Sequence, residues 1–291
     1  MDPRTPRVLI RPVSGAWGCA RVNGSTSATK HERSFSAIAF GRFATVGAHG
    51  GEAGRYWNAE AYMGWWDKVW PSRDYLRTSI VQDFPGNRIL RVIPWTKDGI
   101  LARHLSATDR VLDLGPGPRS VLGHYKVAYS LGVEMFDPYL EAARRAGTHT
   151  EVLKADVSEV EFDAESFDVV VAFDVFDHLE KRDALQLIEK CKIWAGRELI
   201  AVVTNGHADP PILDHNEYQR HRCGFGIAEL HDLGFKTYGL GIKLPGMNSS
   251  RAIVSFVVRR LSFPLWFLSY WWPQIGYDVV GIYGRRATRW L

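Results

Sequence analysis

The segment VLDLGPGP, residues 111–118, combines the residue types that a nucleotide-like cofactor requires. A short apolar run leads into a turn that contains Asp113, Gly115 and Gly117 at alternate positions. Glycines lack a Cβ atom, so a ligand can lie directly against their backbone. In open α/β sheets, ligands bind outside the carboxyl ends of the strands, where the next helix offers unpaired N–H groups. The spacing predicts a cofactor site at this turn, although a plain tight turn is the alternative on the motif alone.

The same turn distinguishes between two classes of cofactor. A dinucleotide site follows the pattern G-x-G-x-x-G, in which the third glycine allows close packing of the helix on the strand. Ser120 stands at that third position. The pattern therefore counts against a nicotinamide dinucleotide.

Acidic residues close the strands that we predict beyond this turn. Glu134 ends the second strand, Asp156 ends the third, and Asp174 follows the fourth. A carboxylate can accept hydrogen bonds from ribose hydroxyls, the role that we assign to Glu134, or from an adenine amino group, the role that we assign to Asp156. Asp137 is a rival for the ribose role if the second strand is longer. We predict that these acids surround one crevice together with the glycine turn.

Residues 205–226 form a polar segment that is the candidate for chemistry on the acceptor side. An imidazole with an ordinary pKa of ~6.5 suits proton abstraction near neutral pH. His221 or His215 is therefore a candidate general base, and His178 is a third; a polar loop whose histidines bond to backbone is the alternative. Histidines and Cys223 are also acceptable zinc ligands. Their spacing matches no finger or ribbon pattern, so we predict no metal.

Alternating strand and helix patterns place these residues. The predicted strands are 111–114, 132–136, 151–156, 167–173, 198–205, 235–242 and 277–284. The predicted helices are 119–126, 138–146, 179–194 and 226–235. Such alternation indicates an α/β fold with a doubly wound, mostly parallel seven-stranded sheet.

Composition restricts the classes of function. Apolar residues make up 46% of the 291 positions, which is enough for a substantial core. The net charge is +4, yet residues 1–50 alone carry +5, so the remainder shows no net basic charge and nucleic acid is not an expected partner. The three cysteines include no CxxC pair, which indicates a reducing compartment rather than a disulfide framework.

We predict three regions along the chain. They are a disordered or targeting-like tail (1–54), an aromatic-rich helical cap (55–107) and the α/β domain (108–291) with an insertion at 243–276. The apolar stretch 261–284 is interrupted by Pro264 and Pro273 and carries Asp278, whereas a membrane-spanning helix needs ~20 apolar residues. We therefore predict no transmembrane helix and keep peripheral membrane contact through 261–275 as a hypothesis.

Four segments together resemble the class I, seven-stranded S-adenosylmethionine-dependent methyltransferases. VLDLGPGP is similar to their glycine motif, GVEMFDPY to their second-strand acid motif and LKADVSEVEF to their adenine motif. SFDVVVAFDVFDHLEK is similar to their fourth-strand segment D-V-x-E-H-L, except that Asp177 replaces the usual Glu before His178. The resemblance covers residues 108–242.

This resemblance implies S-adenosyl-L-methionine as the cofactor, held by residues at the ends of successive strands. By the resemblance, Gly115 and Gly117 would flank the methionine part, Glu134 would hold the ribose, Asp156 with the Val157 backbone would hold the adenine, and Asp174 would lie near the methionine end.

The expected reaction is methyl transfer to an oxygen or nitrogen of a small-molecule, glycan or lipid-linked acceptor. We expect a cytoplasmic protein, or an organellar one if residues 1–54 are a transit peptide. Two alternatives stay open. An NAD(P)-dependent oxidoreductase is disfavoured by Ser120 and by the lack of a Tyr-x-x-x-Lys pair near the fifth strand. A non-catalytic binding module with the same fold is the second alternative.

Overall fold

The computed structural model describes residues 8–10, 18–20, 91–118, 120–207, 212, 214, 216–243, 262 and 265–284. Most of the predicted tail, the predicted cap as far as position 90, and His215 lie outside these residues. The strands in the described part are β1 (Val8–Ile10), β2 (Gly18–Ala20), β3 (Arg110–Leu114), β4 (Tyr129–Glu134), β5 (Glu151–Lys154), β6 (Val160–Phe162), β7 (Phe167–Phe173), β8 (Ala195–Thr204), β9 (Lys236–Leu240) and β10 (Asp278–Gly284). The α-helices there are α1 (Lys97–His104), α2 (Asp137–Ala146), α3 (Lys181–Trp194), α4 (Ile227–Asp232) and α5 (Trp266–Trp271).

Seven strands form the main sheet in the order β5-β4-β3-β7-β8-β10-β9. The first five of these pair in parallel, whereas β10 pairs antiparallel with both β8 and β9. The predicted doubly wound, mostly parallel seven-stranded sheet is thereby confirmed. β4 lies on one side of β3 and β7 on the other, so the strand order changes direction at β3. The carboxyl end of β3 is therefore the switch point where such sheets bind ligands.

Alternating side chains of the central strands build a core on each face of the sheet. In β7, Val170 belongs to the core that contains Trp194 of α3, and Val171 belongs to the core that contains Leu101 of α1. Residues 169–172 are all buried, which explains why this strand is a continuous apolar run. The two cores hold the sheet between helical layers and so fix the edge that carries the acids.

The segment predicted as the first helix is shorter in the structure. Instead of a helix over 119–126, a single 3-10 turn spans Val121–His124, with Ser120 accepting from the Leu122 N–H at its start. Only about ten residues separate the glycine turn from β4, and two of these positions are Pro118 and Gly123. This length accommodates one tight turn but not a multi-turn helix with its connections.

Two short strands lie in the tail for which we predicted disorder. β1 pairs antiparallel with β2 and with β6, so that Leu9 lies opposite Cys19 on one side and Glu161 on the other. The three strands form a small separate sheet. Backbone pairing to β6 stabilises a segment that composition alone assigned to disorder.

A buried carboxylate joins the segment after β7 to the polar loop beyond β8. Asp177 is 0% exposed, and its Oδ2 accepts a hydrogen bond from the Thr204 N–H at 2.7 Å. Its backbone carbonyl accepts from the N–H groups of Arg222 (2.8 Å) and Cys223 (3.2 Å). Burial raises the pKa of Asp177 to about 7, although the Thr204 N–H favours the charged form. This residue therefore holds the candidate acceptor loop against the sheet.

The raised pKa of Asp177 predicts a pH-dependent stability. The folded state keeps the proton up to about pH 7, whereas the unfolded state releases it near its ordinary pKa. Stability from this group is therefore full below pH ~4 and decreases as the pH rises towards 7, at about 1.4 kcal/mol for each pKa unit. Asp177→Asn cannot ionise, so its free energy of unfolding relative to wild type should rise by a few kcal/mol between pH ~4 and 7.

Urea unfolding at a series of pH values measures this difference. Asp163→Asn, at an exposed position, is the matched control and should show only a small trend. A difference between Asp177→Asn and wild type that stays constant with pH would contradict the assignment.

Candidate cofactor and acceptor site

The glycine turn after β3 has the backbone that its sequence predicts. Gly115 and Gly117 have φ values of +60° and +63°, in the left-handed region that favours glycine. An added Cβ on Gly115 would lie 2.9 Å from Cγ2 of Val175, whereas one on Gly117 would meet no atom within 4 Å. The space beside Gly117 is therefore open, as a cofactor that lies against this backbone requires.

Glu134 bonds directly to this turn. Its Oε2 accepts from the Gly117 N–H at 3.1 Å, and its Oε1 accepts from the Phe136 N–H at 2.9 Å. Burial raises the pKa of Glu134, while these two backbone donors favour its charged form. Each carboxylate oxygen can accept more than one hydrogen bond, so the group retains the capacity to accept from hydroxyls.

Asp113 supports the turn from beneath. Its side chain is buried, and its Oδ2 accepts from the Ser120 hydroxyl at 2.5 Å and lies 2.9 Å from Nε2 of His149. The other ring nitrogen of His149 lies 2.8 Å from the hydroxyl of Thr148. Asp113 is thus engaged by protein partners, and it positions the glycine turn. Sequence reasoning missed His149, which lies just before β5 with its side chain 0% exposed.

Two further acids occupy different surroundings near β4 and β5. Oδ1 of Asp156 accepts from the N–H and the hydroxyl of Ser158 at 2.8 and 2.7 Å, in the turn that follows β5. Val157, between them, packs against the core. Asp137 begins α2 beyond the end of β4 and pairs with Lys154 at 2.5 Å, with its side chain 66% exposed. Because β4 ends at Glu134, before Asp137, Glu134 is favoured over Asp137 as the residue that binds the ribose. That role stays a prediction.

Asp174 follows β7 and forms an ion pair with Lys97, a residue that the sequence patterns did not identify as part of the site. Asp174 has a φ of +55°, and its Oδ2 lies 2.5 Å from Nζ of Lys97, at the start of α1. Burial by itself would lower the pKa of Lys97, but the charge of Asp174, aided by those of Asp278 and Asp177, raises it overall. Lys97 is therefore a charged ammonium at this edge of the sheet. Thr96 followed by Asp98 is a pattern typical of a helix start. It does not indicate that Lys97 would contact Asp174.

Two of the three candidate histidines lie together. The rings of His178 and His221 are in edge contact, with centroids 4.8 Å apart. Nδ1 of His178 lies 3.4 Å from the carbonyl of Arg220. Burial lowers the pKa of His178, against the charge of nearby Asp174, so this imidazole is neutral near pH 7. The third candidate, His215, lies outside the described residues.

The polar loop is tied to the helix that follows Glu134. The hydroxyl of Tyr139, on α2, donates to Oδ2 of Asp214 at 2.7 Å and accepts from Nε2 of Gln219 at 3.1 Å. Asn216, in the same loop, is buried and caps the short turn at 217–219. These bonds place the loop near the start of α2, and none of them could be inferred from local sequence.

The zinc hypothesis receives no support in the described part of the loop. Among the residues that the structure covers, no three or more His, Cys, Asp or Glu side chains are grouped so as to hold a metal ion. Cys223 is buried, and its thiol donates to the Phe176 carbonyl at 3.3 Å. Its role here is structural.

Comparison with known proteins gives one family match. Residues 112–193 match the family model described as a methyltransferase domain. That range begins in β3 and ends in α3, so it contains the glycine turn and the acids at the ends of β4, β5 and β7. No curated protein matches the chain.

Solved structures with a similar fold are distant in sequence. An S-adenosylmethionine-dependent methyltransferase from Mesorhizobium loti is 15% identical, with a TM-score of 0.43 over 65% of this chain and 97% of that one. Magnesium protoporphyrin IX methyltransferase from Synechocystis, solved with bound S-adenosylhomocysteine, is 16% identical, with a TM-score of 0.40 over 65% of this chain and 80% of that one. A possible histamine N-methyltransferase from Thermotoga maritima is 17% identical, with a TM-score of 0.43 over 78% and 96%.

The family match and the open space beside Gly117 agree with the strand order and with the acid that closes β4. The prediction of S-adenosylmethionine rather than a nicotinamide dinucleotide is confirmed, as is the prediction of an enzyme. Residues 112–193 thus match the methyltransferase-domain family, and the seven-stranded sheet that contains them has the class I methyltransferase fold.

Proposed function

We propose that this methyltransferase modifies an oxygen or nitrogen of a small-molecule, glycan or lipid-linked acceptor, with His221 or its neighbour His178 as the general base. The observation that carries the proposal is the contact between these two imidazoles, 4.8 Å apart, next to the acid that follows β7. Nucleic acid is not a proposed acceptor, because residues 51–242 carry a formal charge of −7.

The cofactor side of the proposal assigns one task to each strand end. The backbone at Gly115 and Gly117 approaches the methionine part, and Glu134 accepts from the ribose hydroxyls. Asp156, with the Val157 backbone, accepts from the adenine. Asp174 lies at the methionine end. When bound, S-adenosylmethionine supplies an electrophilic methyl group on its sulfonium, so the protein mainly aligns the acceptor and excludes water.

The acceptor side depends on proton removal. A hydroxyl acceptor needs a base, and a protonated amine must first lose its proton, whereas a neutral amine needs less help. Because burial lowers the pKa of His178, its ring stays neutral to a lower pH than an exposed histidine would. Lys97 stays protonated beside Asp174, so it contributes positive charge and is not a base.

Gly117→Val tests the cofactor site. A branched side chain would occupy the space that is open beside Gly117, so the affinity for S-adenosylhomocysteine should fall by roughly tenfold or more in isothermal calorimetry, a change of ~1.4 kcal/mol. Gly147→Val is the matched control, because Gly147 has a φ of +62° and equally open space but ends α2. If the two variants bind equally well, the site is not at Gly117.

His221→Ala tests the base. Turnover with an accepted substrate should fall by about 100-fold, as for the loss of a general base, while the affinity for S-adenosylhomocysteine stays unchanged. His178→Ala, measured in parallel, decides which ring removes the proton. His231→Ala is the control, because His231 is exposed on α4 and contacts Thr237. Unaltered turnover in both His221→Ala and His178→Ala would refute the proposed base.

A further inference from the structure

A buried histidine lies beneath the glycine turn. His149 belongs to the connection between α2 and β5, and its side chain is 0% exposed. Its Nε2 lies 2.9 Å from Oδ2 of Asp113, the acid of β3 that also accepts from the hydroxyl of Ser120 at 2.5 Å. Asp113 and Ser120 stand on either side of the two glycines along the chain, so these two bonds close the base of the turn.

The hydrogen bonds of this histidine give its ring a defined orientation. An ionised carboxylate only accepts hydrogen bonds, so Nε2 of His149 carries the hydrogen and donates to Asp113. In a neutral ring, Nδ1 then accepts from the hydroxyl of Thr148, which lies 2.8 Å away. Both ring nitrogens therefore have partners, and a turn of the ring by 180° would break both bonds.

A glycine of β4 lets the ring reach Asp113. β4 lies between β3 and β5, and Gly132 is paired with Asp113 on one side and with Val152 on the other. A Cβ added to Gly132 would lie 3.3 Å from three atoms of the His149 ring, which is tighter than ordinary van der Waals contact. The ring therefore lies across β4 at a position where the strand carries no side chain.

The connection that carries His149 also supports the 3-10 turn at Val121–His124. A Cβ added to Gly123 would lie 2.7 Å from Cγ2 of Thr148, so Thr148 packs directly against that turn. The single turn covers less of the sheet beside β3 than the helix predicted over 119–126 would. Support that a longer helix would give to the glycine turn comes instead from Thr148 and His149, further along the chain.

We propose that His149 is a positioning residue for S-adenosylmethionine. By donating to Asp113 it holds the glycine turn in the conformation that receives the cofactor, and Gly132 leaves the room that the ring needs. His149 itself does not touch the cofactor and acts through Asp113. The inference rests on the proposed placement of the cofactor at Gly115 and Gly117.

Calorimetry with S-adenosylhomocysteine tests the hydrogen bond. His149→Phe keeps a planar ring against β4 but cannot donate to Asp113, so the affinity should fall about tenfold, which corresponds to one hydrogen bond to a charged group. His149→Gln carries an amide N–H that can reach the same carboxylate, so its affinity should stay within about threefold of wild type. A role in packing alone would give the reverse order, because Phe fills the space of the ring better than Gln.

His104→Phe is the matched control. The side chain of His104 is also buried, and its Nδ1 lies 2.7 Å from the buried carboxylate of Glu198, in the amino-terminal half of β8 and thus away from the glycine turn. This variant should lower the free energy of unfolding, measured in urea, and leave the affinity for S-adenosylhomocysteine unchanged.

Gly132→Ala tests the same contact without changing the histidine. Its Cβ would push the His149 ring away from Asp113, so the affinity for S-adenosylhomocysteine should fall at least about threefold. This variant decides the question if His149→Phe does not fold. Gly281→Ala is its control, because a Cβ on Gly281, in β10, would lie 2.9 Å from the ring of Phe235 and should lower stability only.

Three results would overturn the proposal. They are wild-type affinity in folded His149→Phe or Gly132→Ala, equal losses of affinity in His149→Phe and His149→Gln, and an equal loss in His104→Phe. Circular dichroism and a cooperative urea transition establish that each variant is folded.

Gly117→Val separates this inference from the cofactor site itself. If Gly117→Val binds S-adenosylhomocysteine weakly while folded His149→Phe binds it as wild type does, only the positioning role is wrong. If neither change weakens binding, the cofactor does not lie at the glycine turn, and the inference fails together with the site.

Discussion

The hydrogen bond from the Gly117 N–H to Glu134 fixes the geometry of the cofactor site. It forms because β3 and β4 pair in parallel, with Leu114 opposite Val133, so the turn after one strand reaches the acid that ends the other. A buried carboxylate needs such donors, since burial alone disfavours its charge. Gly117 has a positive φ, and a Cβ added to it would meet no atom within 4 Å, so a ligand can approach the backbone there.

Polar partners beneath and beside this bond make the site rigid and balance its charge. Asp113 is held between Ser120 and His149 under the turn, so the backbone that faces the cofactor rests on a buried network. Several acids close neighbouring strands and repel one another. Lys97, from the helix that precedes the sheet, offsets part of that repulsion at Asp174.

The sequence predicts what depends on local pattern. The apolar run of β7, the glycine turn and the helix that Gly147 ends are each encoded by neighbouring residues, and the structure contains all three. The strand ends determine where Glu134 and Asp174 lie, so a correct strand order is sufficient to bring them to one edge.

What the sequence does not predict depends on partners far along the chain. His149 meets Asp113 across 36 positions, Lys97 meets Asp174 across 77, and Tyr139 meets Asp214 across 75. No periodicity reports such contacts. The expected first helix was wrong for a different reason, since its apolar residues fit one helical turn as well as several, and the short connection to β4 decided between them.

The position of β10 has a consequence for how this enzyme can diversify. Since β10 runs antiparallel between β8 and β9, the connection from Leu240 to Asp278 leaves and re-enters the sheet at one point of the same edge. The entropic cost of closing a loop grows only slowly with its length. Changes in the length of this connection can therefore be accommodated at small entropic cost while the strands keep their register.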